Sequence, residues 1–318
     1  MSAPHYDTVA LIGIGLIGSS ISHAIRRRGL ARRIVGYAKS QATRDTAVRL
    51  KLVDEAMASA ADAAASADLV ILCVPVGACG AIAAEIGPRL KAGATLTDVG
   101  SVKGAIVRDV GPHVPPGVHF VPGHPISGTE HSGPESGFAE LFDGRWCILT
   151  PLSGAEDNPS VQCLKAFWEA LGSNVELMDA DHHDLVLGIT SHVPHLIAYN
   201  IVNTAAHLER VTESEVIKFS AGGFRDFTRI AASDPTMWRD VFLNNRGAVI
   251  EMLGRFTEDL IALQRAIRYG DGDMLFKLFS DARTVRRGII QAGQDTAAPD
   301  FGRPHGTPDS KSDDTTKN

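Results

Sequence analysis

His124 stands between Gly123 and Pro125, directly after the apolar run 118–121. A backbone pinned by proline and an imidazole that titrates near neutrality suit a general base acting on a hydroxyl; a loop histidine satisfied by backbone is the plainer alternative. Ser101 lies in Asp98-Val99-Gly100-Ser101-Val102-Lys103, after the strand candidate 94–97. It either hydrogen-bonds a substrate hydroxyl or N-caps the helix that follows. Glu130, six residues after His124, is a pocket carboxylate or a solvated one. Ser191 and His195 are four apart and share a helix face, whereas His192 points elsewhere. Pro194, inside an apolar helical window, removes a backbone hydrogen bond and predicts a kink with an exposed carbonyl. Arg229 and Asp226 fall on one helical face ahead of Trp238: the arginine either clamps a carboxylate bidentately or pairs internally with Asp226. His192 and His195 lack an HExxH or a supporting Cys or carboxylate spacing, so no metal site is predicted.

A second constellation opens the chain. The run 8–13 is strand-like and leads into Gly13-Ile14-Gly15-Leu16-Ile17-Gly18, a GxGxxG spacing at the start of a helix. Gly13 allows the tight turn, Gly15 lets backbone approach a pyrophosphate, and Gly18 permits close helix-strand packing. The helix N-terminus then offers its partial positive charge to the phosphates. Val74, Pro75 and Asp98, at later strand ends, are expected on the same nucleotide-facing edge. The second strand, 33–37, leads to Ala38-Lys39-Ser40, with no acid to receive a ribose 2′-hydroxyl. Lys39, Ser40 and Arg44 could instead receive a 2′-phosphate, or be solvated charges beside a weak ribose contact. Either NAD or NADP is predicted.

These residues need a scaffold. From Thr8 to about Pro151, apolar runs (TVALIG, RIVGYA, DLVILCVP, ATLTDV, VHFVPG, WCILTP) alternate with helical stretches at 16–28, 43–51, 77–90 and 102–110. That rhythm predicts an α/β, Rossmann-type doubly wound parallel sheet. From Asp181 to about Gln291 only helical windows appear, at 182–208, 235–269 and 273–291, predicting an all-helical C-terminal domain. The expected divisions are 1–178, dinucleotide-binding; 179–294, helical substrate and dimerisation domain; and 295–318, a polar tail that cannot bury enough apolar surface to order.

Composition narrows the partners. The 318 residues carry 31 Lys plus Arg against 37 Asp plus Glu, a net charge of −6, which offers no footprint for a nucleic-acid backbone. The most apolar stretch, 69–84, is broken by Pro75, Gly77 and Gly80 and is too short for a membrane span of roughly 20 residues. The N-terminus shows no basic start or hydrophobic segment. A cytoplasmic protein with four reduced, widely spaced cysteines is predicted.

GIGLIGSS, DVGSVK, GHPISGTEHSG, SHVPHLIA and GGFRDFTRIAASDPTMWRDVF, in that order between Thr8 and Gly293, resemble the prephenate/arogenate dehydrogenase family of tyrosine biosynthesis. The resemblance implies that His124 takes the proton of the ring hydroxyl while Ser101 positions that hydroxyl against the nicotinamide. Arg229 would bind a substrate carboxylate; Ser191, His195 and Glu130 would line the pocket; Asp226 and Trp238 would support Arg229 and the domain interface. It also implies a homodimer built through the helical domains, and the single-function form without an appended regulatory or mutase domain. Ala38 departs from the acid of NAD-specific members.

Two rival readings predict different residues. Another two-domain dehydrogenase, such as a β-hydroxyacid dehydrogenase or an imino-acid reductase, should carry a Lys on the long helix after the sheet, and the window 181–208 has none. A nucleotide-sensing protein that had lost catalysis should have lost His124, Ser101 or Arg229, and all three stand.

Overall fold

The structure is a computed structural model that describes residues 5–129, 131–207, 213–220 and 222–291. Its strands are β1 (Tyr6–Ile12), β2 (Ala31–Tyr37), β3 (Glu55–Ala56), β4 (Leu69–Leu72), β5 (Thr95–Asp98), β6 (His119–Phe120), β7 (Gly123–Pro125), β8 (Trp146–Leu149) and β9 (Asn174–Leu177). The helices among them are α1 (Leu16–Arg28), α2 (Gln41–Arg49), α3 (Ala60–Ala64), α4 (Val76–Ile86), α5 (Lys103–Val110) and α6 (Pro159–Leu171). Beyond Leu177 every described element is helical: α7 (Ala180–Leu187), α8 (Val193–Ala206), α9 (Glu213–Phe219), α10 (Gly222–Thr228), α11 (Pro235–Asn244), α12 (Arg246–Tyr269) and α13 (Gly272–Gln291).

Six strands form a parallel sheet in the order β3-β2-β1-β4-β5-β6. Strand alternation explains why it is covered on both sides. Val9 and Leu11 of β1, with Leu69 and Ile71 of β4, enter one core with Ile21 and Ile25 of α1 and Phe167 and Trp168 of α6. Ala10 and Ile12, with Val70 and Leu72, enter the other, against α4, α5 and Trp238 and Val241 of α11.

One expectation about the sheet is corrected. WCILTP and the end of VHFVPG do not extend the parallel sheet; β7, β8 and β9 form a separate three-stranded sheet, with β7 antiparallel and β9 parallel to β8. Pro122, which has no N–H, separates β6 from β7, so the chain leaves one ladder and starts another just before His124.

The defect expected at Pro194 takes the form of a π turn over Gly188–His192, between α7 and α8. The missing proline N–H leaves the preceding turn short of one helical bond, and π turns of this kind concentrate at functional sites. The window 235–269 is likewise two helices, parted at Asn245. By length and composition the run Ala180–Ala206 could cross a membrane, but His183, Asp184 and His192 within it are buried and bonded to neighbouring elements.

The described chain divides into two compact units. Residues 5–220 with 227–254 form the larger, and residues 222–226 with 255–291 the smaller. The expected tail lies outside the described residues.

Candidate active site

The glycine turn is dictated by steric contact. Gly13 has φ +104°, and a Cβ there would lie 2.5 Å from the Cys73 carbonyl oxygen; a Cβ on Gly18 would lie 2.3 Å from the Gly13 oxygen. Neither position admits a side chain. A Cβ on Gly15 would meet nothing within 4 Å, so the open space lies at the N-cap of α1, whose first turn carries no acid to repel a phosphate. This cradle fits the pyrophosphate of a dinucleotide. Val74, following β4, lies against the same turn, its nitrogen 3.0 Å from the Gly13 Cβ position, and Pro75 is the next residue, at the N-cap of α4. At the end of β2, Ala38 is buried and Lys39 exposed. Ser40 caps α2, accepting from Thr43 N–H at 3.3 Å. Arg44 folds back over the Tyr37 ring and donates to the carbonyls of Ala38 and Lys39 and to Gln41 Oε1.

The Asp98 side chain turns inward. Expected on the nucleotide side, it is fully buried, and its oxygens accept from Gly123 N–H (3.1 Å), Gly100 N–H (2.7 Å) and the Lys103 ammonium. A buried carboxylate must be paired to be tolerated, and these partners tie the end of β5 to β7. Lys103, also fully buried, spends a second donor on the Gly123 carbonyl at 2.6 Å. The residue before His124 is therefore held through both its N–H and its carbonyl.

Behind His124 runs a chain of polar groups with no exposed member. His124 Nδ1 lies 2.9 Å from His183 Nε2, and His183 Nδ1 lies 2.9 Å from Asp184 Oδ1. Asp184 also caps α5, accepting from Lys103 N–H at 2.7 Å and Gly104 N–H at 2.9 Å. The cap offered by Ser101 is thus unneeded: Val102 is the N-cap residue, and Ser101 stays half-buried one position earlier, its backbone against the His192 ring. Asn245, at the break between α11 and α12, donates to the Asp184 carbonyl at 2.7 Å and to His192 Nδ1 at 3.0 Å. Burial is the first cause that holds His124 well below the usual imidazole range, helped by His183 and Lys103. Burial likewise lowers His183, and His192 to about 4. All three rings are neutral at neutral pH.

The His192 ring lies edge-on to Trp238 at 6.1 Å, and Trp238 stacks on His195 at 3.6 Å and 24°. His195 Nδ1 donates to the Ser191 carbonyl at 2.8 Å, so Ser191 contributes its backbone here. Burial first, then the nearby Arg229 charge, lower the His195 pKa. Arg229 is half-buried and opens a short 3₁₀ turn, Arg229–Ala232, rather than sitting inside α10. Tyr199 of α8 holds that turn, donating to the Ser233 carbonyl at 2.8 Å. Asp226 contacts Arg225 at 3.7 Å and belongs to the smaller unit. Glu130 lies outside the described residues.

The structure therefore brings His124, Ser101, His195, Trp238 and Arg229 into one connected group. Lys103, His183, Asp184, His192 and Asn245 in that group were not singled out from the sequence as site residues. The available signals were an acid-base pair, His183-Asp184, in an otherwise apolar helical window, and the Lys that closes the Asp98 cluster.

The family model for the prephenate dehydrogenase nucleotide-binding domain matches residues 21–177, and that for the prephenate dehydrogenase dimerization domain matches residues 179–281. A cyclohexadienyl dehydrogenase of Zymomonas mobilis is 40% identical over 281 residues, covering 88% of this chain and 95% of its own. The crystal structure of prephenate dehydrogenase from A. aeolicus in complex with hydroxyphenyl propionate and NAD+ superposes with a TM-score of 0.83 at 36% identity, covering 91% of this chain and 99% of its own. The Synechocystis arogenate dehydrogenase structure gives 0.75 at 26% identity, covering 89% and 99%. A Rossmann-type nucleotide-binding half joined to helices, carrying a neutral buried histidine at a strand end, thus belongs to the prephenate/arogenate dehydrogenase family of nicotinamide-dependent oxidoreductases.

Proposed function

We propose that this chain oxidatively decarboxylates prephenate, arogenate or both, with His124 as general base. The observation that carries this is the buried, neutral His124 ring, held through Nδ1 and leaving Nε2 for a substrate hydroxyl. Prephenate bears a C4 hydroxyl and a C1 carboxylate on a cyclohexadiene ring. A bound nicotinamide supplies the acceptor for the C4 hydride. His124 takes the hydroxyl proton as the C4–H electron pair leaves, and C4 becomes a carbonyl. The C1–carboxylate bond then breaks, its electrons aromatise the ring, and the resulting phenolate recovers the proton from His124. Protons balance, with none released.

Ser101 is assigned to orient the hydroxyl, and Arg229 with His195 and Trp238 to hold a carboxylate of the dianion. Ser191 acts by fixing His195, and Glu130 is retained as a pocket carboxylate. The Gly13–Gly18 loop with Val74 and Pro75 receives the dinucleotide, near Ala38, Lys39 and Ser40. Ala38 neither recruits a 2′-hydroxyl nor repels a 2′-phosphate, so both NAD and NADP are accepted.

The same reading makes the protein a cytoplasmic homodimer that needs neither nucleic acid nor membrane. Within the smaller unit Leu260, Ile261, Phe276, Phe279 and Val285 are all more than half exposed, an apolar surface that a second copy would cover. The test is a kinetic matrix of the two substrates against the two cofactors, read as ratios of catalytic efficiency. Turnover with neither substrate would refute the assignment, and a preference above about 10³-fold on either axis would reveal a discriminating contact of roughly 4 kcal/mol.

A further inference from the structure

From the directions of its hydrogen bonds, we infer that His183 and Asp184 are positioning residues that fix the tautomer of His124, so that its outward nitrogen, Nε2, is an acceptor. The inference rests on the reading of His124 as base, but its structural half can be checked without substrate.

Polarity is fixed at the Asp184 end of the chain. Backbone N–H groups can only donate, so Asp184 Oδ1 and Oδ2 accept from Lys103 and Gly104. The carboxylate is therefore an acceptor toward His183, and His183 Nδ1 carries a proton. A neutral imidazole has one donor and one acceptor nitrogen, so His183 Nε2 is a lone pair, and the proton between it and His124 Nδ1 belongs to His124. His124 Nε2 is then bare. Polarity set at a helix N-terminus is passed across two rings to the reacting nitrogen.

The groups that face this chain do not reverse it. Lys103 and His192 bear on His124, and Lys103, Asp184 and Asp98 bear on His183; both rings have lowered pKa values, first because of burial. Neutral rings are what the tautomer argument requires. Asn245 holds Asp184 from its other side through the Asp184 carbonyl, so the carboxylate is fixed at both ends of its own residue.

Substitutions at His183 and Asp184 separate tautomer control from simple support. Gln in His183→Gln can donate its amide to Asp184 and accept from His124 Nδ1, preserving the polarity; Leu in His183→Leu cannot. In Asp184→Leu no acceptor faces His183 Nδ1, so nothing fixes the proton there and the polarity of both rings is released. The full-length chain with specifically ¹⁵N-labelled histidine reports which nitrogen of His124 is protonated. The expected result is Nδ1–H in the wild type and in His183→Gln, and a mixture of Nδ1–H and Nε2–H in Asp184→Leu.

Turnover should fall by about 10²-fold or more in His183→Leu, and fall in Asp184→Leu as well. It should stay within about tenfold of wild type in His183→Gln, with dinucleotide affinity unchanged in all three. If Asp184→Leu fails to fold for want of its helix cap, the two His183 variants, which keep that cap, decide the matter. Nε2–H in the wild type, or equal losses in His183→Gln and His183→Leu, would overturn the inference. Wild-type Nδ1–H without turnover of either substrate would leave the tautomer assignment standing and sink the substrate reading instead.

Discussion

The two working regions of this protein are built by opposite means. The dinucleotide cradle is made of backbone, from six consecutive residues, and it works by what is missing: no Cβ at Gly13 or Gly18, and open space at Gly15. The cluster around His124 is made of buried polar side chains drawn from far apart. His124 and His183 are 59 positions from each other, and Lys103 and Asp184 are 81 apart. A local device needs only the right residues in sequence, whereas a polar cluster inside a core must have every partner delivered by the fold, since each unpaired buried group is costly. Damage to the cradle should therefore appear as lost nucleotide affinity, and damage to the cluster as lost stability or lost chemistry.

The contrast is tested most strongly at Lys103. Lys103→Met leaves Asp98 buried without its cation, so unfolding free energy should drop by about 3–5 kcal/mol, seen as a large fall in Tm. An unchanged Tm would show that the cluster is not integral to the fold. Arg229→Ala should act on substrate and spare stability, with KM rising by the equivalent of about 2–5 kcal/mol. A sharp loss of Tm at normal KM would assign Arg229 to internal pairing. His124→Asn should lower kcat by about 10²-fold or more while leaving dinucleotide binding intact, as read by cofactor titration; near-normal turnover in folded protein would remove it as base.

At the cradle, Gly13→Ala should weaken dinucleotide binding by the equivalent of about 1–3 kcal/mol, from strain at positive φ together with the carbonyl clash. Turnover at saturating cofactor should change far less. A loss of kcat with normal cofactor affinity would erase the distinction between the regions.

The smallest effect per step is with pH. His124, His183 and His192 bind protons more weakly folded than unfolded. Below the unfolded imidazole value the unfolded chain then holds more protons, so stability is full above pH 6.5 and declines as pH falls. The His192 part ends near pH 4. Each histidine contributes at most about 1.4 kcal/mol per pH unit. Denaturation midpoints that stay flat from pH 7 to 4 would show that these rings are not buried neutral.

The sequence by itself determined the nucleotide-binding half and marked the candidate chemistry-bearing residues. GxGxxG after an apolar run, strand rhythm at period two, and His124 between Gly123 and Pro125 are local signals, because steric exclusion, alternation and a fixed φ act within a few residues. It also marked the defect at Pro194, although the π turn that follows from it required the three-dimensional chain. What the tertiary structure alone decided was pairing. Asp98 reads from the sequence as a nucleotide-side residue, and only the fold shows its side chain enclosed by Gly100, Lys103 and Gly123. Ser101 reads as a helix cap until Asp184, 81 residues beyond Lys103, takes that place. β7 and β8 read as more of the parallel sheet until Pro122 ends one ladder. Hydrogen-bond partners at such separations leave no periodicity in the chain, because their geometry is imposed by the packing of the elements that carry them.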